Sequence, residues 1–175
     1  MFIQANAKSF RYTGRWKQYE DRAVTTAPGS TLEAAFTGKS AVLKFDMVTN
    51  RHPYGHLWIR VDDGAKVEVP MERFLRVTAK EKGNHVVTVV YKSSSEIHHR
   101  WYQPLEGKVS FLGMDADGEG TLPEDFRKSI EFIGDSITEG VLIDAFYNPD
   151  PVDQWNRPWQ DDSMATYAWL AAEKL

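Results

Sequence analysis

The chain has 175 residues, 42% hydrophobic and 26% charged, the range of an ordinary folded protein of one domain or slightly more. A formal net charge of -4 without a basic stripe argues against a dedicated nucleic-acid binder, and the absence of cysteine excludes disulfides, thiolate metal sites and a cysteine nucleophile. No run approaches the roughly 18 apolar residues of a membrane span, and Met1 to Phe10 lacks the basic-then-apolar order of a secretory signal, so the expectation is a cytoplasmic protein without a membrane partner; a secreted form stripped of its signal reads the same.

In chain order, Thr31 to Phe36 and Ala41 to Met47 read as strands joined by the hairpin-length Thr37-Gly38-Lys39-Ser40. His56 to Val61 alternates Leu57, Ile59 and Val61 against Trp58 and Arg60, then meets Asp62-Asp63-Gly64, a hairpin signal leading to a return strand at Lys66 to Val69. Phe74 to Val77 and His85 to Tyr91 follow, with Lys82-Gly83-Asn84 as the turn between them, and Lys108 to Leu112 reads as a last strand. Short apolar-alternating runs, evenly punctuated and without helical periodicity, predict a mainly β unit over residues 1–114, an antiparallel β-sandwich of jelly-roll type.

Residues 115–128 are poor in large apolar side chains and rich in turn formers, as a linker is. A second unit is expected over 129–175. Ile130, Phe132 and Ile133 suit a strand covered on both faces, Gly134 and Asp135 suit a sharp turn, and Ser136 stands at the strand's carboxyl end. The stretch from Val141 to Asp162 holds three prolines and two tryptophans and cannot be one regular element. Asp162 and Ser163 offer N-caps for a terminal helix with Met164, Tyr167, Ala168, Ala171 and Leu175 at three- and four-residue spacing. Strand, loop and helix in that order open an α/β fold.

Ser136 is the residue with chemistry to offer. A serine hydroxyl is a weak nucleophile at neutral pH; it needs a general base in hydrogen-bond reach and donors aimed at the developing oxyanion. Ser136 has an attacking oxygen and a backbone N–H that suits such a donor. The same residues also read as an Asx turn closing a strand, with Ser136 merely capping the next segment. The string Ile130-Glu131-Phe132-Ile133-Gly134-Asp135-Ser136-Ile137-Thr138-Glu139-Gly140 closely resembles the first signature block of the SGNH (GDSL-type) hydrolases. That resemblance implies that Ser136 is the acyl-accepting nucleophile and that the Asp135 carboxylate supports the loop. It also implies a glycine N–H and an asparagine amide from later blocks as further oxyanion donors, and a late histidine, often in Asp-x-x-His, as the base. A sandwich followed by this block is similar to family 2 carbohydrate esterases and related GDSL-type acyltransferases, which carry an amino-terminal jelly roll.

None of those later blocks is in the sequence. His52, His56, His85, His98 and His99 all precede Ser136, and ordinary surface or turn roles suit them better than catalysis. Neither His52 with His56 nor His98 with His99 has a third ligand at a recognisable spacing, so no metal and no cofactor is expected. The chain therefore reads as the front part of a longer enzyme, inactive alone, or as one of two polypeptides that complete a hydrolase domain. Trp155 and Trp159, with Phe146, are candidate cleft walls or interdomain packing. Gly140-Val141-Leu142 stands where relatives place a Tyr-Gly pair. Trp16, Trp58 and Trp101 suit either core or glycan contact, with core favoured. The first reading is a serine-dependent esterase removing acetyl or another short acyl group from a carbohydrate or small metabolite through an acyl-serine. The alternatives are an acyltransferase using the same intermediate, or a non-catalytic glycan-binding sandwich with a hydrolase remnant.

Overall fold

The computed structural model describes residues 1–125, 128–145 and 157–174. Among these residues ten strands run in chain order: β1 (Phe2–Gln4), β2 (Phe10–Thr13), β3 (Lys17–Gln18), β4 (Ala23–Thr25), β5 (Thr31–Phe45), β6 (His56–Val61), β7 (Val67–Pro70), β8 (Phe74–Ser93), β9 (Val109–Asp115) and β10 (Gly118–Glu119). Every pairing among them is antiparallel.

Two strands serve both layers of the sandwich. The first half of β5 pairs with β2 and β10 on one edge and with the second half of β8 on the other; β6 and β7 continue that layer. The second half of β5 pairs with the first half of β8 and with β9, which in turn carries β1 and β4. The hairpin expected at residues 37–40 and the turn expected at 82–84 are therefore not formed. Gly38 lies opposite Gly83, and the register shifts between Gly38 and Ser40. Gly38 has φ +120, and a Cβ there would stand 2.6 Å from the Asp117 carboxylate. Two facing glycines let the long strands bend together while keeping their ladder, so the turn-like residues mark a bend.

The core follows from strand alternation. Leu32 faces Val89, which faces Ile59 on β6, and Leu43 lies between Leu75 and Met114; all are buried on the inner face. Phe111 on β9 joins the layers: its ring meets Phe10 edge-on at 5.1 Å and Phe45 at 5.7 Å.

The front of the expected linker is sheet. Asp115 ends β9, and Gly118 and Glu119 pair with Thr37 and Phe36. The Asn84 side chain then clips the chain, donating to Thr121 O at 3.0 Å and accepting from Thr121 N at 2.6 Å. Backbone ladders and amide contacts need no apolar pattern, which is why the composition concealed them.

Beyond it the pattern changes. Ile130 to Ile133, expected as a strand, forms no regular element and pairs with no strand among the described residues, and Ile133 is 82% exposed. A strand buried on both faces needs a ladder on both sides; here Arg15 pairs with Glu131 at 2.8 Å and the Tyr167 ring meets Phe132 edge-on at 6.3 Å, and neither contact is strand pairing. After it come the one-turn helix α1 (Ser136–Glu139), 3-10 turns at Pro158–Gln160 and Ser163–Ala165, and helix α2 (Tyr167–Ala172). Asp162 caps the second 3-10 turn, accepting from Met164 N at 2.8 Å, whereas α2 is capped by the Thr166 hydroxyl. The terminal helix thus begins later than its sequence pattern suggested, because Asp162 is engaged at the preceding turn.

Candidate functional site

Ser136 is the first residue of α1 and is exposed. Asp135 before it is extended, and its carboxylate accepts from Ile137 N at 3.0 Å, an N-cap that fixes the turn. Gly134 is needed there, since a Cβ would run into Thr138 Oγ1. The helix stops at Gly140, φ +89, whose N–H returns to Ser136 O at 3.0 Å. A Cβ on Gly140 would collide with Asp162 O. The sequence thus builds a sharp turn that leaves the serine hydroxyl outward. None of the five histidines hydrogen-bonds to Ser136 Oγ: His56 pairs with Glu68 at 2.6 Å, His85 with Asp62 at 2.8 Å, and His99 stacks on Tyr102 at 4.4 Å. His98 is buried, and loss of hydration pushes its pKa down.

The residues after Ser136 dock on one end of the sandwich. Glu139 receives both terminal nitrogens of Arg100, one at 3.3 Å to Oε2 and the other, closer, to Oε1. Burial opposes the Arg100 charge, and the Glu139 carboxylate outweighs it, leaving the guanidinium above its usual range. Lys92, at the end of β8, has a fully buried side chain, with Nζ donating to Trp159 O at 3.0 Å and Asp161 O at 2.5 Å. Glu68 Oε1 lies 3.3 Å and Asp144 Oδ2 3.6 Å from the same nitrogen. An ammonium withdrawn from water persists only with such partners. Trp58 Nε1 donates to Asp162 Oδ1 at 3.0 Å, Ser163 Oγ donates to Tyr91 O at 3.1 Å, and the Ser93 hydroxyl donates to Pro158 O. Asp162 N closes back on Gly140 O at 3.0 Å, tying the docked segment to the end of α1. Asp161 is buried beside it; loss of hydration pushes its pKa up to about 6, although Leu142 N donates to it at 2.6 Å.

Of the aromatic candidates, Trp159 lies at this junction, half-buried, its ring 6.4 Å from that of His56. Trp155 and Phe146 fall outside the described residues. Trp58 is on the sheet face that the docked segment covers, with Lys66 Nζ 4.2 Å over its ring. Trp16 packs against the core, 5.1 Å from Tyr12. Trp101 is different: it is 74% exposed, beside the exposed Tyr102 on the loop that carries Arg100.

Sequence reasoning missed Lys92, Arg100 and Glu139 as a group. Lys92 carried a signal, a lysine extending the β-prone run Val86 to Tyr91 into a strand otherwise buried. Arg100 carried none, since nothing in a polar loop marks the partner of a residue 39 positions away. Among the described residues no cluster of three His, Asp or Glu could hold a metal, and no helix is long and apolar enough to cross a membrane.

A two-layer sandwich bent about β5 and β8, handing over to a Gly-Asp-Ser turn, is the arrangement of a jelly-roll domain placed before a GDSL-like unit. The family model of the carbohydrate esterase 2 N-terminal domain matches residues 12–124, and the chain belongs to that family. Its fold is that of solved family members. A family two carbohydrate esterase from Cellvibrio japonicus aligns with TM-score 0.75 and 18% identity, over 99% of this chain and 49% of that one. An acetyl xylan esterase from the rumen bacterium Butyrivibrio proteoclasticus aligns with TM-score 0.71 and 21% identity, over 99% and 46%. A carbohydrate esterase family 2 enzyme with a carbohydrate binding domain, from Corynascus thermopiles (Myceliophthora fergusii), gives 0.70 and 25%, over 95% and 46%. The chain spans about half the length of these relatives. Comparison with curated protein sequences finds no match.

Proposed function

We propose that this chain is the amino-terminal part of a serine-dependent carbohydrate esterase, in which Ser136 attacks an acetyl or other short acyl ester. The observation that carries this reading is the outward Ser136 on a turn locked by Asp135 and Gly140 at the end of an esterase-family sandwich. Attack by Ser136 Oγ on the ester carbonyl gives a tetrahedral intermediate. Its collapse expels the sugar alcohol and leaves an acyl-serine, which water then cleaves to the carboxylic acid, freeing the serine. The Ser136 N–H supplies one oxyanion donor; the base and the other donors come from the rest of the hydrolase domain, encoded downstream or carried by a second polypeptide. In this division residues 129–175 are the first piece of that domain, and its remaining strands and helices cover Ile130, Phe132 and Ile133. An acylated sugar as substrate is supported by the names of the relatives and by the exposed Trp101 and Tyr102, whose rings suit stacking on a sugar face.

The test is acyl-enzyme formation by the full-length protein with p-nitrophenyl acetate and with acetylated xylo-oligosaccharides. Wild type is expected to give a burst and an acetyl adduct on Ser136 by mass spectrometry, and Ser136→Ala neither. Turnover retained by Ser136→Ala would refute the assignment.

A further inference from the structure

We propose that Arg100, a residue of the sandwich, is a positioning residue for Ser136, acting through its partly buried ion pair with Glu139; this role rests on the reading of Ser136 as nucleophile. A helix of one turn does not hold itself: α1 has the Glu139 N to Asp135 O bond at 3.0 Å and the Gly140 N to Ser136 O bond at 3.0 Å, too few to offset the cost of nucleation. It must be held from outside. Among the described residues three contacts do so: Thr138 Oγ1 to the Tyr167 hydroxyl at 2.9 Å, Asp162 N to Gly140 O at 3.0 Å, and the Arg100 fork on Glu139. The first is exposed and the second is a single neutral bond. The third is charge-assisted and bidentate, and with the Arg100 side chain 6% exposed it is shielded from solvent.

Glu139 stands three residues after Ser136, so the two project from neighbouring positions on one face of the turn. A rotation of α1 that breaks the fork therefore carries Ser136 with it. Arg100 is itself seated firmly. Its loop is closed by Glu106 N to His99 O at 2.8 Å and His99 N to Glu106 Oε2 at 3.3 Å. Gly107 leaves room for it, since a Cβ there would lie 3.1 Å from Arg100 Cγ. The guanidinium has a second effect. It balances the Glu139 charge within one turn of the place where the oxyanion forms, and an unbalanced carboxylate there opposes that anion. The amino-terminal domain thus contributes to the chemistry by holding the nucleophile.

The experiment compares Arg100→Gln, Glu139→Gln and the double variant with Ser136→Ala in the full-length protein, using p-nitrophenyl acetate and measuring kcat, KM and burst rate. Arg100→Gln is expected to lower kcat and the burst rate on the order of 100-fold, with KM within about twofold. Adding Glu139→Gln to Arg100→Gln is expected to restore part of the rate, because it removes the unpaired carboxylate. Wild-type kcat in both folded single variants overturns the role, as do losses that simply multiply in the double variant. Where Arg100→Gln fails to fold, Glu139→Gln, which keeps an acceptor oxygen, decides by the same criterion: reduced kcat at unchanged KM supports the role and unchanged kcat overturns it. Turnover by Ser136→Ala refutes the nucleophile reading itself; an inactive Ser136→Ala beside fully active Arg100 variants refutes only Arg100.

Discussion

Phe111 in the sandwich is fully buried between Phe10 and Phe45, whereas Ile133, just before the Gly-Asp-Ser turn, is 82% exposed. Both belong to apolar runs that read as strands. The first run finds strand partners on both sides within the chain, and the second pairs with no strand among the described residues. Hydrophobicity by itself states only that a segment belongs inside something; whether it is inside depends on where the partners are. The sandwich buries its apolar residues in a shared core, whereas the motif segment is held mainly by charges and hydrogen bonds from Trp58, Lys92 and Arg100.

Substitutions that separate these two modes should differ in size. The largest effect is expected from Phe111→Ala, which opens a cavity at the seam of the layers and should cost about 3–5 kcal/mol in urea unfolding. A value near zero would mean that the seam does not carry the fold. Next is Asp161→Asn at the junction. The folded-state pKa of Asp161 is raised from 3.8 to about 6 by burial, so between those values the folded chain keeps a proton that the unfolded chain has lost. Its contribution is present below the lower value and is lost as pH rises through the upper one, by on the order of 3 kcal/mol. Melting the wild-type chain across pH 4 to 7 should reveal that decline, and Asp161→Asn should flatten it; parallel curves would contradict the junction geometry. The smallest effect belongs to Ile133→Ser, expected within about 0.5 kcal/mol for the 175-residue chain. A large loss there would mean that Ile133 already packs.

The sandwich was legible because its determinants are local. Alternation marked β6, and the Asp62-Asp63-Gly64 turn marked its return strand. Gly38 and Gly83 misled because the same flexibility serves a reversal and a bend, and only the partner strand decides between them. Gly134 and Asp135 were legible as turn chemistry, and the structure makes Asp135 the N-cap of α1; the left-handed C-cap at Gly140 was not read from the sequence. Lys92 and Arg100 were not legible as a junction, since an ion pair has no period and its members lie far apart in the chain. The same holds for β10, whose place in the sheet is set by backbone groups common to every residue.

The continuity of β5 and β8 also bears on how such a protein varies. An insertion or deletion inside either strand would shift the register of both layers at once, so changes of length are tolerated best in the connections. One of these, residues 94–107, holds Arg100 against the segment that bears Ser136 and carries the exposed Trp101 and Tyr102. The part of the sandwich that meets the Ser136 turn is thus a connection, free of the register that ties β5 to β8 and fixed instead at Arg100 by its pair with Glu139.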